Sequence, residues 1–149
     1  MRALVWGVAF GVAGMACAAL IVRDSVGEGW HVLRYTTGLA ALLVAVLVCW
    51  LLVPPSGELS LTRGAAMGAF VTLLSHPVTW YLAILHQALF GGPSSLGDEP
   101  LGPISGLSGS LVFSFWSVLL TGWWTAPLGA GLGALLALWD RGSGSAPIQ

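Results

Sequence analysis

The residues best suited to chemistry lie in two apolar segments of the sequence, and each set is spaced to share one helical face. His76 is the central one, because an ionisable side chain in the middle of a long apolar segment is costly and marks a functional site by default. Pro77 follows it and has no N–H to donate, so the carbonyl of Leu73 loses its intrahelical partner. An imidazole beside an unpaired carbonyl could bind a proton or a cation.

Hydroxyl-bearing residues continue these two faces, and we call the combined set the polar seam. The members in the first segment fall within about 120° at helical pitch, and those in the second are spaced i, i+4, i+7, i+11 and i+15. The polar seam comprises Thr72, Ser75, His76, Thr79, Ser110, Ser114, Ser117, Thr121 and Thr125. Because unpaired polar groups are costly in lipid, we expect the two faces to pack against each other.

Two interpretations of the polar seam remain open. In the structural interpretation, the seam only holds two helices together. Its Ser and Thr residues can also bond back to the carbonyl four residues earlier, and interhelical hydrogen bonds in membranes average only about 0.6 kcal/mol. The functional interpretation is a polar path or pocket for a proton, water, ion or small solute. In the structural interpretation, a neutral His76 simply hydrogen-bonds a serine on the facing helix.

His31 and His86 form a second, weaker set of candidate ligands. Histidine together with carboxylates suits zinc or another divalent metal. The nearest acidic residues in the flanking polar segments are Asp24, Glu28, Asp98 and Glu99. No HxxxH or HExxH spacing links these groups, so the sequence predicts no cofactor. A metal or a haem held by His31 and His86 is the alternative.

Gly106 to Gly109 read G-L-S-G, which resembles the G-x-S-G serine motif of rhomboid-type intramembrane proteases. The resemblance covers these four residues. Rhomboids have six core spans and carry their histidine on a later helix, whereas all three histidines of this chain precede Ser108. A nucleophilic serine needs a base within reach, so we predict a non-enzymatic protein.

The composition identifies the environment in which these faces must fold. Only 7% of the 149 residues are charged, against about 25% in an average soluble domain, and the mean hydropathy is +0.89. The net charge of −1 provides no basic stripe for nucleic acid. These values exclude a soluble globule and a nucleic-acid binder, and they predict a small integral membrane protein.

Four uncharged stretches are each long enough to cross a bilayer, which takes about 20 helical residues. The sequence therefore predicts one all-α domain, a four-helix transmembrane bundle followed by a disordered tail. The predicted spans cover residues 3–22, 35–53, 64–90 and 110–139, and the predicted tail covers residues 140–149. We expect the third and fourth helices to be kinked at Pro77 and Pro127, with two short spans or a span plus a half-helix as the alternatives for the fourth.

The arginines give a weak orientation. With both termini inside, Arg2, Arg63 and Arg141 lie on the inner side, and Arg23 and Arg34 lie on the outer side. An excess of basic residues favours the cytoplasmic side. The sequence therefore predicts a bacterial-type plasma (inner) membrane with both termini in the cytoplasm.

Small residues mark one face of the first span and predict a close helix contact. They are spaced i, i+4, i+7 and i+11, which places them in one row at helical pitch. The row comprises Gly7, Gly11, Gly14 and Ala18. Small residues let helix backbones approach in lipid, so we expect packing within the bundle, with a contact between copies of the chain as the alternative.

The function predicted from these features is that of an accessory or assembly subunit of a larger membrane complex. The first alternative is a small homo-oligomeric channel or carrier that uses the polar seam. The second is a membrane enzyme or a metal- or haem-binding protein with a site at the outer face. The predicted partners are the lipid bilayer and other membrane subunits or further copies of the chain, and no nucleic acid.

Overall fold

Four α-helices account for nearly all of the described residues in the computed structural model, which describes residues 1–23, 30–53, 59–91 and 101–144. The helices are α1 (Arg2–Ile21), α2 (Trp30–Leu52), α3 (Leu61–Phe90) and α4 (Pro103–Gly144). Each is long and apolar enough to cross a membrane. The predicted all-α, four-helix transmembrane bundle is therefore confirmed.

The second and third helices begin before the predicted spans. α2 starts at Trp30 rather than at residue 35, and α3 starts at Leu61 rather than at residue 64. A charged residue such as Arg34 marks the edge of the hydrocarbon but does not interrupt backbone hydrogen bonding. The start of α3 is instead set by Ser60, whose side chain accepts a hydrogen bond from the backbone N–H of Arg63 at 3.2 Å.

α4 is longer than expected at both ends, with 42 residues and a length of about 63 Å. It begins at Pro103 rather than at residue 110, and Pro103 is the first helical residue, a position where proline loses no hydrogen bond. Residues 140–144 of the predicted tail are helical, and residues 145–149 lie outside the described residues. Both α3 and α4 continue through their prolines as single helices, so the kinks at Pro77 and Pro127 stay predictions.

The helices form two antiparallel pairs. α1 packs against α2, α3 packs against α4, and the contact between α2 and α3 joins the pairs, whereas α1 and α4 scarcely touch. The start of α1 meets the end of α4, where Arg2 Nε donates a hydrogen bond to Asp140 Oδ1 at 2.7 Å. The two termini therefore lie at the same end of the bundle.

The half of the bundle nearest the termini, which we call the closed half, is tightly packed. Its core includes the buried side chains of Trp6, Ala45, Cys49, Leu59, Val71 and Ala137. Two arginines close its end by donating to backbone carbonyls: Arg63 to Leu52 at 2.5 Å and Arg141 to Leu59 at 3.0 Å. The bond from Arg141 attaches the last turn of α4 to Leu59, just before α3.

Glycines bring the backbones of α3 and α4 together in the closed half. A Cβ built on Gly68 would collide with the carbonyl oxygen of Gly129, and a Cβ on Gly64 would lie 2.7 Å from both the Gly133 carbonyl oxygen and the Ala137 Cβ. Backbones this close have no room for a side chain between them. Two G-x-x-x-G faces, one on each helix, therefore form the contact.

The glycine row of α1 packs within the bundle, against α2. A Cβ on Gly7 would lie 2.5 Å from the Val46 side chain, and a Cβ on Gly14 would lie 3.1 Å from the Ala41 Cβ. Gly11 lies against Gly38 and Leu42, and Ala18 is buried. The glycines of α1 thus form the contact within the first helix pair.

Gly133→Ala should lower the free energy of unfolding by about 1–3 kcal/mol, because its methyl group would lie 2.9 Å from the Gly68 Cα and overpack a closed contact. Gly131→Ala is the matched control on the same helix, since nothing lies within 4 Å of a Cβ built there. Reversible unfolding in mixed micelles would compare the two variants. Equal stability of Gly133→Ala and Gly131→Ala would contradict the glycine contact.

Candidate functional site

A cavity of about 580 Å³ occupies the part of the bundle beyond the closed half. All four helices line it, and it forms where α1 and α4 fail to meet. It extends from Phe10 and Leu132, next to the core of the closed half, to Val22 and Leu33 near the opposite end. We call this part of the bundle the open half.

The polar seam forms one wall of the cavity. All of its members except Ser110 and Ser114 line the cavity, and those two are buried. The lining members are Thr72, Ser75, His76 and Thr79 from α3 and Ser117, Thr121 and Thr125 from α4. The two faces identified in the sequence thus meet at a cavity wall.

His76 and Ser117 form the one direct link across the seam among the hydrogen bonds of the described residues. His76 Nδ1 lies 2.7 Å from Ser117 Oγ, about halfway along α3. Near them, the rings of Trp80 and Phe113 stack with centroids 5.1 Å apart. These contacts position the imidazole against α4 and at the cavity.

The other seam hydroxyls mostly bond to their own helices. Thr72 donates to the Gly68 carbonyl at 3.0 Å, Ser75 to that of Val71 at 2.7 Å and Thr121 to that of Ser117 at 2.8 Å. Ser110 and Ser114 do the same, donating to the carbonyls of Leu107 and Ser110. Their hydrogens are therefore used within one helix. The contact between α3 and α4 depends on the glycines instead.

Thr79 and Thr125 are the exceptions in the seam, since neither hydroxyl has a hydrogen-bond partner among the described residues and both side chains line the cavity. The hydroxyl oxygen of Thr125 is also fully buried. A buried polar group without a partner costs about 1–3 kcal/mol. The cavity wall therefore contains a polar group that nothing in the described protein satisfies.

The wall formed by α1 and α2 is not apparent from the sequence. Small side chains dominate it, and Thr37 adds a hydroxyl. Its members include Ala13, Gly14, Cys17, Thr37 and Ala41. The available clue is that Ala13 and Cys17 flank the glycine row of α1, so this side of α1 has little bulk with which to fill the space beside α4.

The candidate metal ligands lie apart from the cavity lining. His31 and His86 are both exposed, and the His86 ring packs on Phe90 with centroids 5.2 Å apart. Among residues 1–23, 30–53, 59–91 and 101–144, no group of three or more His, Cys, Asp or Glu could hold a metal. The neighbouring acidic residues Asp24, Glu28, Asp98 and Glu99 lie outside the described residues.

The serine of the G-x-S-G sequence is also outside the cavity lining. Ser108 is exposed on the first turns of α4, and its hydroxyl donates to the Ser105 carbonyl at 2.8 Å. Its hydrogen is thus used within its own helix.

Comparisons with protein-family models, curated proteins and solved structures find no significant match to this chain.

Thr125→Val should raise the free energy of unfolding of the ligand-free protein by about 1 kcal/mol, because it removes an unsatisfied buried hydroxyl without changing the side-chain shape. Thr121→Val, one turn earlier, should leave it unchanged or lower it by up to about 1 kcal/mol, since that hydroxyl already has a partner. Unfolding of both variants in detergent would provide the comparison. A loss of stability in Thr125→Val would show that its hydroxyl is satisfied.

Proposed function

We propose that this chain is a small non-enzymatic integral membrane protein that binds one apolar small molecule in the cavity between its helices. The cavity of about 580 Å³ carries this proposal. Ligand sites commonly measure about 300–1,000 Å³ and combine apolar walls with a few placed polar groups. Here the polar groups are concentrated on the α3–α4 wall, around His76 and Ser117.

The position of the cavity supports entry from the bilayer. Four residues of its lining are at least half exposed: Ile21 on α1 at 50%, and Trp116, Leu120 and Leu128 on α4 at 54%, 67% and 55%. They lie on the two helices that scarcely touch. A ligand dissolved in the hydrocarbon can therefore reach the cavity between α1 and α4 without crossing the headgroup region.

The closed half favours binding over conduction. A channel needs a polar path across the whole bilayer, yet beyond Thr72 the seam gives way to the backbone contact of Gly68 with Gly129. The core around Trp6 and Val71 fills the remaining space between the helices there. We therefore propose a binding site that is closed on the side of the termini, rather than the homo-oligomeric channel.

A second candidate function is the accessory or assembly subunit, which the outer surface of α4 favours. Trp123 is 76% exposed and lies about 9 Å along the helix from Ser117. If Ser117 lies near the midplane of the bilayer, this distance places Trp123 inside the hydrocarbon core, whose half-thickness is roughly 15 Å. Tryptophan is typical of membrane interfaces and of protein contacts. The exposed Phe115 and Trp116 extend this surface, which could pack on another membrane subunit or a second copy of the chain.

We further propose that both termini lie in the cytoplasm of a bacterial-type plasma membrane. The end that holds the termini also holds Arg2, Arg63 and Arg141, and the other end holds Arg23 and Arg34. This distribution agrees with the excess of basic residues on cytoplasmic sides.

Ala13→Trp should abolish retention of an apolar ligand, because its indole would occupy the cavity. Val12→Trp is the matched control, since Val12 is the preceding residue, is 63% exposed and is not part of the cavity lining. Native mass spectrometry after gentle extraction should find about one bound apolar molecule per wild-type chain. The same molecule should be present in Val12→Trp and absent in Ala13→Trp.

The same spectra separate the two candidate functions. Equal ligand content in Ala13→Trp and Val12→Trp, or none in the wild type, would contradict the binding site. Stoichiometric protein subunits in the wild-type peak that are lost in Trp123→Ala would support the accessory role, and a chain that purifies alone would contradict it.

A further inference from the structure

We infer that the ligand is an uncharged molecule whose hydrogen-bond-accepting oxygen, such as a ketone, ester or quinone-type carbonyl, binds to the imidazole of His76. This inference rests on the proposed function, because it requires a ligand in the cavity. It adds the chemical class of that ligand and the group that recognises it.

The absence of charge follows from the lining. Every residue that lines the cavity in the described part of the chain is apolar or carries a neutral polar group. A charged group in this position would have no counter-ion, and an unpaired charge in a low-dielectric site is strongly unfavourable. The cavity therefore suits a neutral molecule.

The requirement for an acceptor follows from the hydrogen bond between His76 and Ser117. Ser117 Oγ has one hydrogen to donate, and His76 Nδ1, at 2.7 Å, is its one partner among the described residues. The hydroxyl is satisfied if it donates to Nδ1, and the neutral imidazole then carries its proton on Nε2. Nε2 becomes a donor on a residue that lines the cavity, without a partner in the described protein.

Thr125 provides the second, independent observation. Its buried hydroxyl also has a hydrogen with no partner, whereas Thr72, Ser75 and Thr121 each donate theirs to a backbone carbonyl. The donors left on this wall are therefore Nε2 of His76, the hydroxyl of Thr79 and the hydroxyl of Thr125, whose oxygen is enclosed by the protein. A donor that faces an apolar cavity is stabilised by an acceptor placed there, so the cavity favours a ligand that brings an acceptor oxygen.

Two probes of similar shape test the inference: benzophenone, which has a carbonyl, and diphenylmethane, which has none. Binding to the full chain in nanodiscs would be measured by equilibrium dialysis and corrected for partition into empty nanodiscs. We expect benzophenone to bind the wild type about 3- to 10-fold more tightly, the effect of one neutral hydrogen bond. His76→Leu should remove this preference while diphenylmethane still binds.

His86→Leu is the matched control, because it makes the same substitution on the same helix outside the cavity lining, and it should keep the preference. Equal binding of the two probes to the wild type would overturn the inference and leave the proposed binding function standing. Failure of the wild type to bind either probe would overturn both.

The protonation of the ring can be measured without any substitution. Nitrogen-15 chemical shifts of His76 in the wild-type protein should show the proton on Nε2 and a bare Nδ1. A proton on Nδ1 would make Nε2 an acceptor and would overturn the inference, even if His76→Leu fails to fold.

Discussion

The close backbone contact between Gly68 of α3 and Gly129 of α4 is the constraint on which the rest of the structure depends. Lipid provides no hydrophobic force that drives helices together, so close packing of small residues must do so. This contact brings α3 and α4 together in the closed half, where Trp6 and Val71 fill the core. In the open half α1 packs against α2 and α4 packs against α3, and the cavity occupies the space between α1 and α4.

Much of the architecture could be predicted because hydropathy and helical spacing are local properties. Four long uncharged stretches predict four membrane-spanning helices, which the structure confirms. The spacing of His76 with the hydroxyl residues predicts a polar face on the third helix, and the row that includes Ser117 predicts another on the fourth. The structure places these faces on one cavity wall, with His76 hydrogen-bonded to Ser117.

The remaining features depend on contacts between distant residues and could not be predicted. The helical end of α4 is held by Asp140, which pairs with Arg2, and by Arg141, which donates to the Leu59 carbonyl. The cavity depends on how far α1 and α4 stand apart, a distance that no residue pattern within one span determines. Thr37 and Ala13 become part of the site only through that gap. The use of seam hydroxyls within their own helices, as for Ser75, likewise depends on rotamers rather than on spacing.

The central claim is that the bundle is packed in one half and hollow in the other, and xenon tests it most directly because it enters apolar cavities. The NMR resonances of alanine methyl groups, measured with the protein in nanodiscs, can report where xenon binds. Ala18 is buried and lines the cavity, whereas Ala45 and Ala137 are buried in the core of the closed half. Xenon pressure should shift the Ala18 methyl resonance and leave those of Ala45 and Ala137 unchanged. Equal responses at all three, or none at Ala18, would contradict the account.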